Sequence, residues 1–169
     1  MTILTPTIEI DTLLDCLAAQ QQRIVGILAE LDEDAMRRVL LPSGWSCAGM
    51  VQHLTLTTGF WCADVMCGRP AHPRPDDFDV LAGESSTSLV AAYQEAARTG
   101  ADLVRHLPPS TPPAWWPEGR WGPWRLNDLS EVLLHLLVET STHAGHLDIV
   151  RELIDGRTWA YPEGRLSKP

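Results

Sequence analysis

The stretch LSEVLLHLLVETSTHAGHLDIVRELID (129–155) limits the fold of this chain more than any other. Its apolar residues recur at helical spacing, Asn127 or Asp128 can cap its start with Glu131 three residues past Asp128, and Gly156 closes it. A helix of roughly 28 residues at about 1.5 Å per residue spans about 42 Å. Three further amphipathic segments can cover its apolar side. One runs from Ile8 to Leu31, with Thr7 as N-cap and Glu9 and Asp11 in the first turn, where the helix dipole favours anions. Acidic DED (32–34) and LPSG (41–44) break the pattern after it. The next starts after Ser46 and stops at Gly68, and the third spans Ser86 to Leu107, ending before Pro108 and Pro109. No stretch alternates as a strand does. Four long helices and no strands predict an all-α four-helix bundle, with residues 1–169 as a single domain.

The connections bear on topology. The segment RPAHPRPDDFDVLAGES (69–85) is too long for a tight antiparallel turn, and it can run the length of the bundle and leave the second and third helices parallel. The segment PPSTPPAWWPEGRWGPWR (108–125) is rich in proline and tryptophan and is expected to form an ordered cap over one bundle end.

Charge and composition narrow the partners. Thirteen Lys and Arg against 22 Asp and Glu give a net charge of −9 with no basic stripe, which argues against nucleic acid and against an anionic membrane surface. No apolar run is long enough for a membrane helix, and the N-terminus does not read as a signal peptide. Cys16, Cys47, Cys62 and Cys67 show no C-x-x-C spacing, so free thiols and a cytoplasmic location are expected.

The segment HLLVETSTHAGH (135–146) places four titratable groups in a stretch built for a core. With His135 set at zero and about 100° per residue, Glu139 projects at about 40°, His143 at about 80° and His146 at about 20°. The apolar stripe through Leu129, Val132, Leu136, Leu147, Val150 and Ile154 is centred at about 100°, so Glu139 and His143 point at or beside the core. Asp148, Glu152 and Asp155 project to the expected solvent side. An inward carboxylate is costly unless it is paired or bound to a metal. Glu139 and His143, one turn apart, can reach one ion, and His53 in MVQHL (50–54) is the third ligand a facing helix can supply. Two histidines and a carboxylate leave an open coordination position, as catalytic zinc has, although the same set also serves non-haem iron. Spacing alone leaves a second reading open, in which Glu139 pairs with a buried His or Arg and His53 is a hydrogen-bonded core histidine. His135 and His146 are read as lining the pocket or supporting the ligands, with a plain core histidine equally open for His135.

GWSCAGMVQHL (44–54) and LLHLLVETSTHAGHLDIVRELIDG (133–156) resemble the DinB superfamily of helical-bundle metalloproteins, in particular its actinobacterial mycothiol S-transferase-like branch. The resemblance implies an up-down-down-up topology with a long crossover between the second and third helices. It implies a metal triad at His53, Glu139 and His143, where the glutamate is of the mycothiol-dependent maleylpyruvate isomerase kind and many members carry histidine instead. His146 stands where glutamine is common, and as an ordinary histidine it is the expected catalytic proton carrier. The implied cofactors are a divalent metal, zinc before nickel, iron or manganese, and mycothiol or a similar low-molecular-weight thiol. The implied partners are that thiol and a small electrophile, with a homodimer as a compatible assembly. The implied activity is S-transfer or isomerisation. A non-catalytic metal-binding bundle, acting as a sensor or interaction module, and a facial-triad iron oxygenase are the competing readings. The loop AWWPEGRWGPW (114–124) reads either as a substrate wall, with Arg120 or Arg125 meeting an anionic or sugar-like group, or as a small satellite core. Gly145 is read as a point where a helix or a ligand can come close, and Cys47 and Cys62 as core fillers.

Overall fold

The computed structural model describes residues 9–69, 78–80, 83–160 and 163–168. Among them the chain is mostly helical. In order the elements are α1 (Ile10–Leu28), α2 (Glu33–Arg37), α3 (Cys47–Gly59), its π-helical continuation (Phe60–Val65), α4 (Ser86–Val104), α5 (Leu129–Asp155), β1 (Thr158–Ala160) and β2 (Arg165–Ser167). No helix among the described residues is long and apolar enough to cross a membrane.

The helix ends follow local chemistry. The Ser46 hydroxyl accepts from the Gly49 N–H at 3.1 Å, the Ser85 hydroxyl from Ser88 N–H at 3.1 Å, and the Asp128 carboxylate from Glu131 N–H at 3.0 Å. Glu131 reciprocates by accepting from Asn127 N–H at 2.7 Å. Gly68 and Gly156 take φ of 65° and 75°, the left-handed conformation that ends a helix. Helix α1 differs from expectation. Glu9 occupies its N-cap position, and it stops at Leu28 rather than Leu31, with Glu30 turning left-handed at φ 66°. The expected Thr7 cap and most of the 69–85 connection lie outside the described residues.

Two elements were not expected. The acidic break after α1 contains α2, whose Asp32 cap accepts from Ala35 N–H at 2.8 Å. At the C-terminus β1 and β2 pair antiparallel, with Trp159 opposite Leu166. Strands of three residues are too short to display alternation, so the expectation of no strands is corrected here.

Helix α1 packs broadly along α5, and α3 along α4; the two pairs then meet across looser seams, α3 against α5 and α1 against α4. One core cluster joins Leu13 and Leu17 of α1, Phe60 and Val65, Val104, and Leu129 and Leu136 of α5. The other joins Ile24 and Ile27, Met50 and Leu54, Tyr93, and Leu147 and Val150. Gly100 makes the α3–α4 contact close: a Cβ there would lie 3.2 Å from both Cys62 Sγ and the Thr58 methyl. Gly26 serves the hairpin in the same way, because a Cβ would sit 2.2 Å from the Trp159 ring.

The tryptophan-rich connection forms a cap. Trp115, Trp116 and Trp121 pack against the first cluster, and Trp115 N–H donates to the Val65 carbonyl at 3.1 Å. Trp61 stacks on Trp121 at 5.6 Å and meets Trp116 at 5.9 Å. Arg120 lies over Phe60 and Trp121, and Arg125 over Trp116, so both guanidinium groups rest on rings.

The outward acids of α5 are more than a solvated face. Asp148 accepts from Arg23 at 3.2 Å and from Trp159 N–H at 2.7 Å, anchoring both α1 and the hairpin. Asp155 braces Arg157 and Arg151. Arg151 is fully buried, and it also donates to the carbonyls of Ile27 and Ala29, which end α1 without helical partners. Ile154, expected in the core, is only half-buried, while Leu134, Val138, Ile149 and Leu153 face outward.

Truncating Arg151 to leucine leaves two carbonyls without a partner and Asp155 with Arg157 alone, and urea denaturation should show a loss of about 3 kcal/mol. Burial pushes the Asp155 carboxyl up, but hydrogen bonds from Arg151 and Arg157 outweigh it and hold it at about 2, below its ordinary 3.8. A depressed acid stabilises the fold fully above the unfolded value and loses that contribution as pH falls through the folded one. Between pH about 4 and about 2, Asp155→Asn should therefore show a shallower fall in stability than the parent protein.

Candidate metal centre

The looser seam between α3 and α5 brings three polar side chains together. His53 projects from α3 one turn after Gly49, and that glycine is required: the Phe78 carbonyl oxygen passes 2.5 Å from where a Cβ would be. Phe78 then stacks on the His53 ring at 4.5 Å with planes 7° apart, which fixes the imidazole plane. Glu139 and His143 come from α5, four residues apart on one face.

A single oxygen, Glu139 Oε1, accepts from both histidines: His53 Nε2 lies at 3.2 Å and His143 Nε2 at 3.0 Å. The two rings meet edge to face with centroids 5.0 Å apart. One donor atom from each residue lies within 4.8 Å of the others, so this is a cluster able to hold a metal ion. Four ligands at about 2.1 Å around zinc stand about 3.4 Å from one another, and the two nitrogen–oxygen separations come close to that edge. Two imidazoles and a carboxylate form the donor set of open-site zinc and of non-haem iron, and the residues therefore fit a divalent cation. Hydrogen bonds from His143 and His53 hold the Glu139 carboxyl well below the usual range against its partial burial, so the oxygen is anionic at neutral pH. The side chains of His53 and His143 are 12% and 15% exposed and that of Glu139 30%, which makes the cluster sheltered but reachable from solvent.

The other expected residues divide. His146 is exposed, and its Nδ1 lies 3.4 Å from His143 Nδ1, on the side of that ring away from Glu139. Trp45 lies 6.4 Å from it. His135 stands apart from the cluster, set against Trp61 at 4.7 Å and Trp124 at 5.4 Å, and burial lowers its pKa. It lines the tryptophan cap. Burial pushes the thiols of Cys47 and Cys62 up to about 11 and about 12, so both stay protonated as core residues. No described atom outside its own helix comes within 4 Å of a Cβ at Gly145, so no other helix makes a close approach there and the space beside it is open.

Sequence reasoning missed Phe78, whose contact follows from the connection before α4 rather than from any helical pattern. Gly49 was the available signal, since a glycine one turn before a candidate ligand marks a close backbone approach. It also missed the π-helical turn at Phe60–Val65, which has no composition signature, although such turns are frequent near functional sites.

Residues 12–156 match the family model described as mycothiol-S-transferase. No curated protein and no solved structure matches the chain.

Alanine at His53, Glu139 or His143 should each abolish stoichiometric zinc in protein reloaded and then dialysed, read by elemental analysis. His146→Ala should keep the metal, with affinity lowered by about tenfold, because it removes only the partner of His143 Nδ1.

Proposed function

The chain belongs to the mycothiol-S-transferase family, a DinB-like family, and from that premise we propose that it is a divalent-metal-dependent enzyme that joins a mycothiol-type thiol to a small electrophile, or isomerises one. The observation that carries this reading is the convergence of His53, Glu139 and His143 on one point between α3 and α5. Zinc is the proposed ion before nickel, iron or manganese.

The proposed architecture is one domain over residues 1–169, an up-down-down-up four-helix bundle. The core clusters support it. The first half of α1 shares a cluster with the first half of α5 and with the far ends of α3 and α4, and the second cluster reverses that order for α3 and α4. The proposal includes a homodimer in the cytoplasm, with no nucleic-acid or membrane partner, in keeping with a net charge of −9.

His53, Glu139 and His143 would hold the divalent cation, which would supply the positive charge that lowers a thiol's pKa from its free value of about 8.5 and makes thiolate available near pH 7. His53, held flat against Phe78, and His143, held at its far nitrogen by His146, fix the two imidazole directions. Glu139 contributes the one negative charge of the donor set. His146, exposed beside the cluster, takes the thiol proton and passes it to water. The sulfur then forms a bond to the electrophilic carbon as the leaving group departs with its electron pair. The tryptophan cap begins one helical turn along α5 from Glu139, at His135, and walls that side.

The test is a turnover assay with mycothiol and an alkylating probe. Chelated protein should be inactive and regain activity on adding zinc, and His146→Ala should lower kcat by about 10²-fold with its zinc retained. Zinc-loaded protein with no turnover across a panel of electrophiles would instead leave a non-catalytic metal-binding protein.

A further inference from the structure

The outward face of α5 is apolar. Seven large apolar side chains are exposed among the described residues, and four of them, Leu134, Val138, Ile149 and Leu153, lie on this helix at 50–59% exposure. The other long helices carry none of them. With Leu134 set at zero and about 100° per residue, the four project between about 0° and 100°. The buried stripe through Leu136, Leu147 and Val150 projects at about 160–220°, on the opposite side. Thr142 and Gly145 occupy the middle of the outward stripe, which runs about 28 Å along the helix at about 1.5 Å per residue. An exposed apolar surface of that extent marks a protein contact.

Its spacing says what fits it. Leu134 and Leu153 lie equally far from the midpoint between His143 and Ala144, and so do Val138 and Ile149. A second copy of α5 running antiparallel therefore sets its Leu153 against Leu134 and its Ile149 against Val138, and receives the same contacts in return, as a two-fold requires. Leu134 and Val138, like Ile149 and Leu153, are four apart, and ridges of that spacing interdigitate at a crossing angle of about −50°. Two crossing helices come closest at the middle, and there the stripe is small. No atom outside the helix lies within 4 Å of a Cβ at Gly145, so this glycine, destabilising inside a helix, leaves a gap that a second backbone can enter.

Charge points to the same occupant. Each copy carries −9, so two copies approach only through a face that adds little like charge. From Leu134 to Leu153 the exposed residues of α5 include one carboxylate, Glu152, which also gives a basic partner little to hold. The exposed face of α4, by contrast, carries Glu95, Arg98 and Asp102.

We propose that this face is the contact between two copies of the chain, an antiparallel α5–α5 pair crossing at Thr142 and Gly145. It rests on the homodimer proposed above and names the surface that makes it; the metal chemistry is not involved. His146, at about 120° on the same scale, borders the stripe, so the second copy comes next to it.

Sedimentation equilibrium of zinc-loaded, full-length protein, from micromolar to millimolar concentration, tests the contact. The parent protein should show monomer and dimer with no larger species, because a two-fold contact closes on itself. Ile149→Glu enters the contact twice and should weaken the dimer by about 100-fold, with zinc content and helical circular dichroism unchanged. Val138→Lys alone should weaken it likewise. Mixed in equal amounts, the two variants should recover a heterodimer, because antiparallel pairing sets position 149 of one copy against position 138 of the other. Ala92→Glu, on the exposed face of α4, should leave the dimer as it is. A parent protein that stays monomeric overturns both the surface and the homodimer. A dimer that survives Ile149→Glu and Val138→Lys overturns the surface and keeps the homodimer. Loss without recovery in the mixture overturns the antiparallel pairing, and species larger than a dimer overturn the two-fold.

Discussion

A carboxylate turned toward the interior of a helical core must be compensated, and in this chain two imidazoles from two helices do so. Glu139 lies half-buried in the seam between α3 and α5, and one of its oxygens is shared between His53 and His143. Such an arrangement is poor economy for stability alone, since apolar residues of similar volume pack a seam as well or better. The surroundings reinforce it nonetheless: Phe78 locks one ring, His146 meets the other, and Gly49 gives up its side chain so that Phe78 can come close. Support of that kind is what a metal site requires to hold its ligands in one geometry.

The four long helices divide labour by how tightly they pack. The pairs α1 with α5 and α3 with α4 are close, the second drawn together at Gly100. The seam between α3 and α5 carries the unusual chemistry, a carboxylate between two histidines. Arg151 closes the structure at one end by joining the last turn of α1 to the end of α5, and the tryptophan cap closes the other.

Much of this was legible from residues. Ser46, Gly68, Asp128 and Gly156 mark helix ends because capping is local chemistry, read within four residues. The cluster was legible because a carboxylate and a histidine four apart on an inward face, with a histidine in a second apolar stripe, have few compatible arrangements. What escaped was long-range or too short to have a period. Arg151 reads as one basic residue on an acidic helix end, and only the fold reveals the carbonyls of α1 that it satisfies. Asp148 and Asp155 project outward as expected, but the hairpin and α1 come to meet them. Helix α2, of five residues, and the three-residue strands lie below the length at which hydrophobic patterning carries information.

Zinc-edge X-ray absorption on the reloaded protein, before and after adding mycothiol, tests whether the triad is a metal centre that takes a thiol. The first spectrum should show two imidazole nitrogens and one carboxylate oxygen at about 2.0–2.2 Å, and the second a new sulfur neighbour at about 2.3 Å. A first shell without imidazole scattering would contradict the assignment of the site, and an unchanged spectrum at saturating thiol would contradict the chemistry proposed for it.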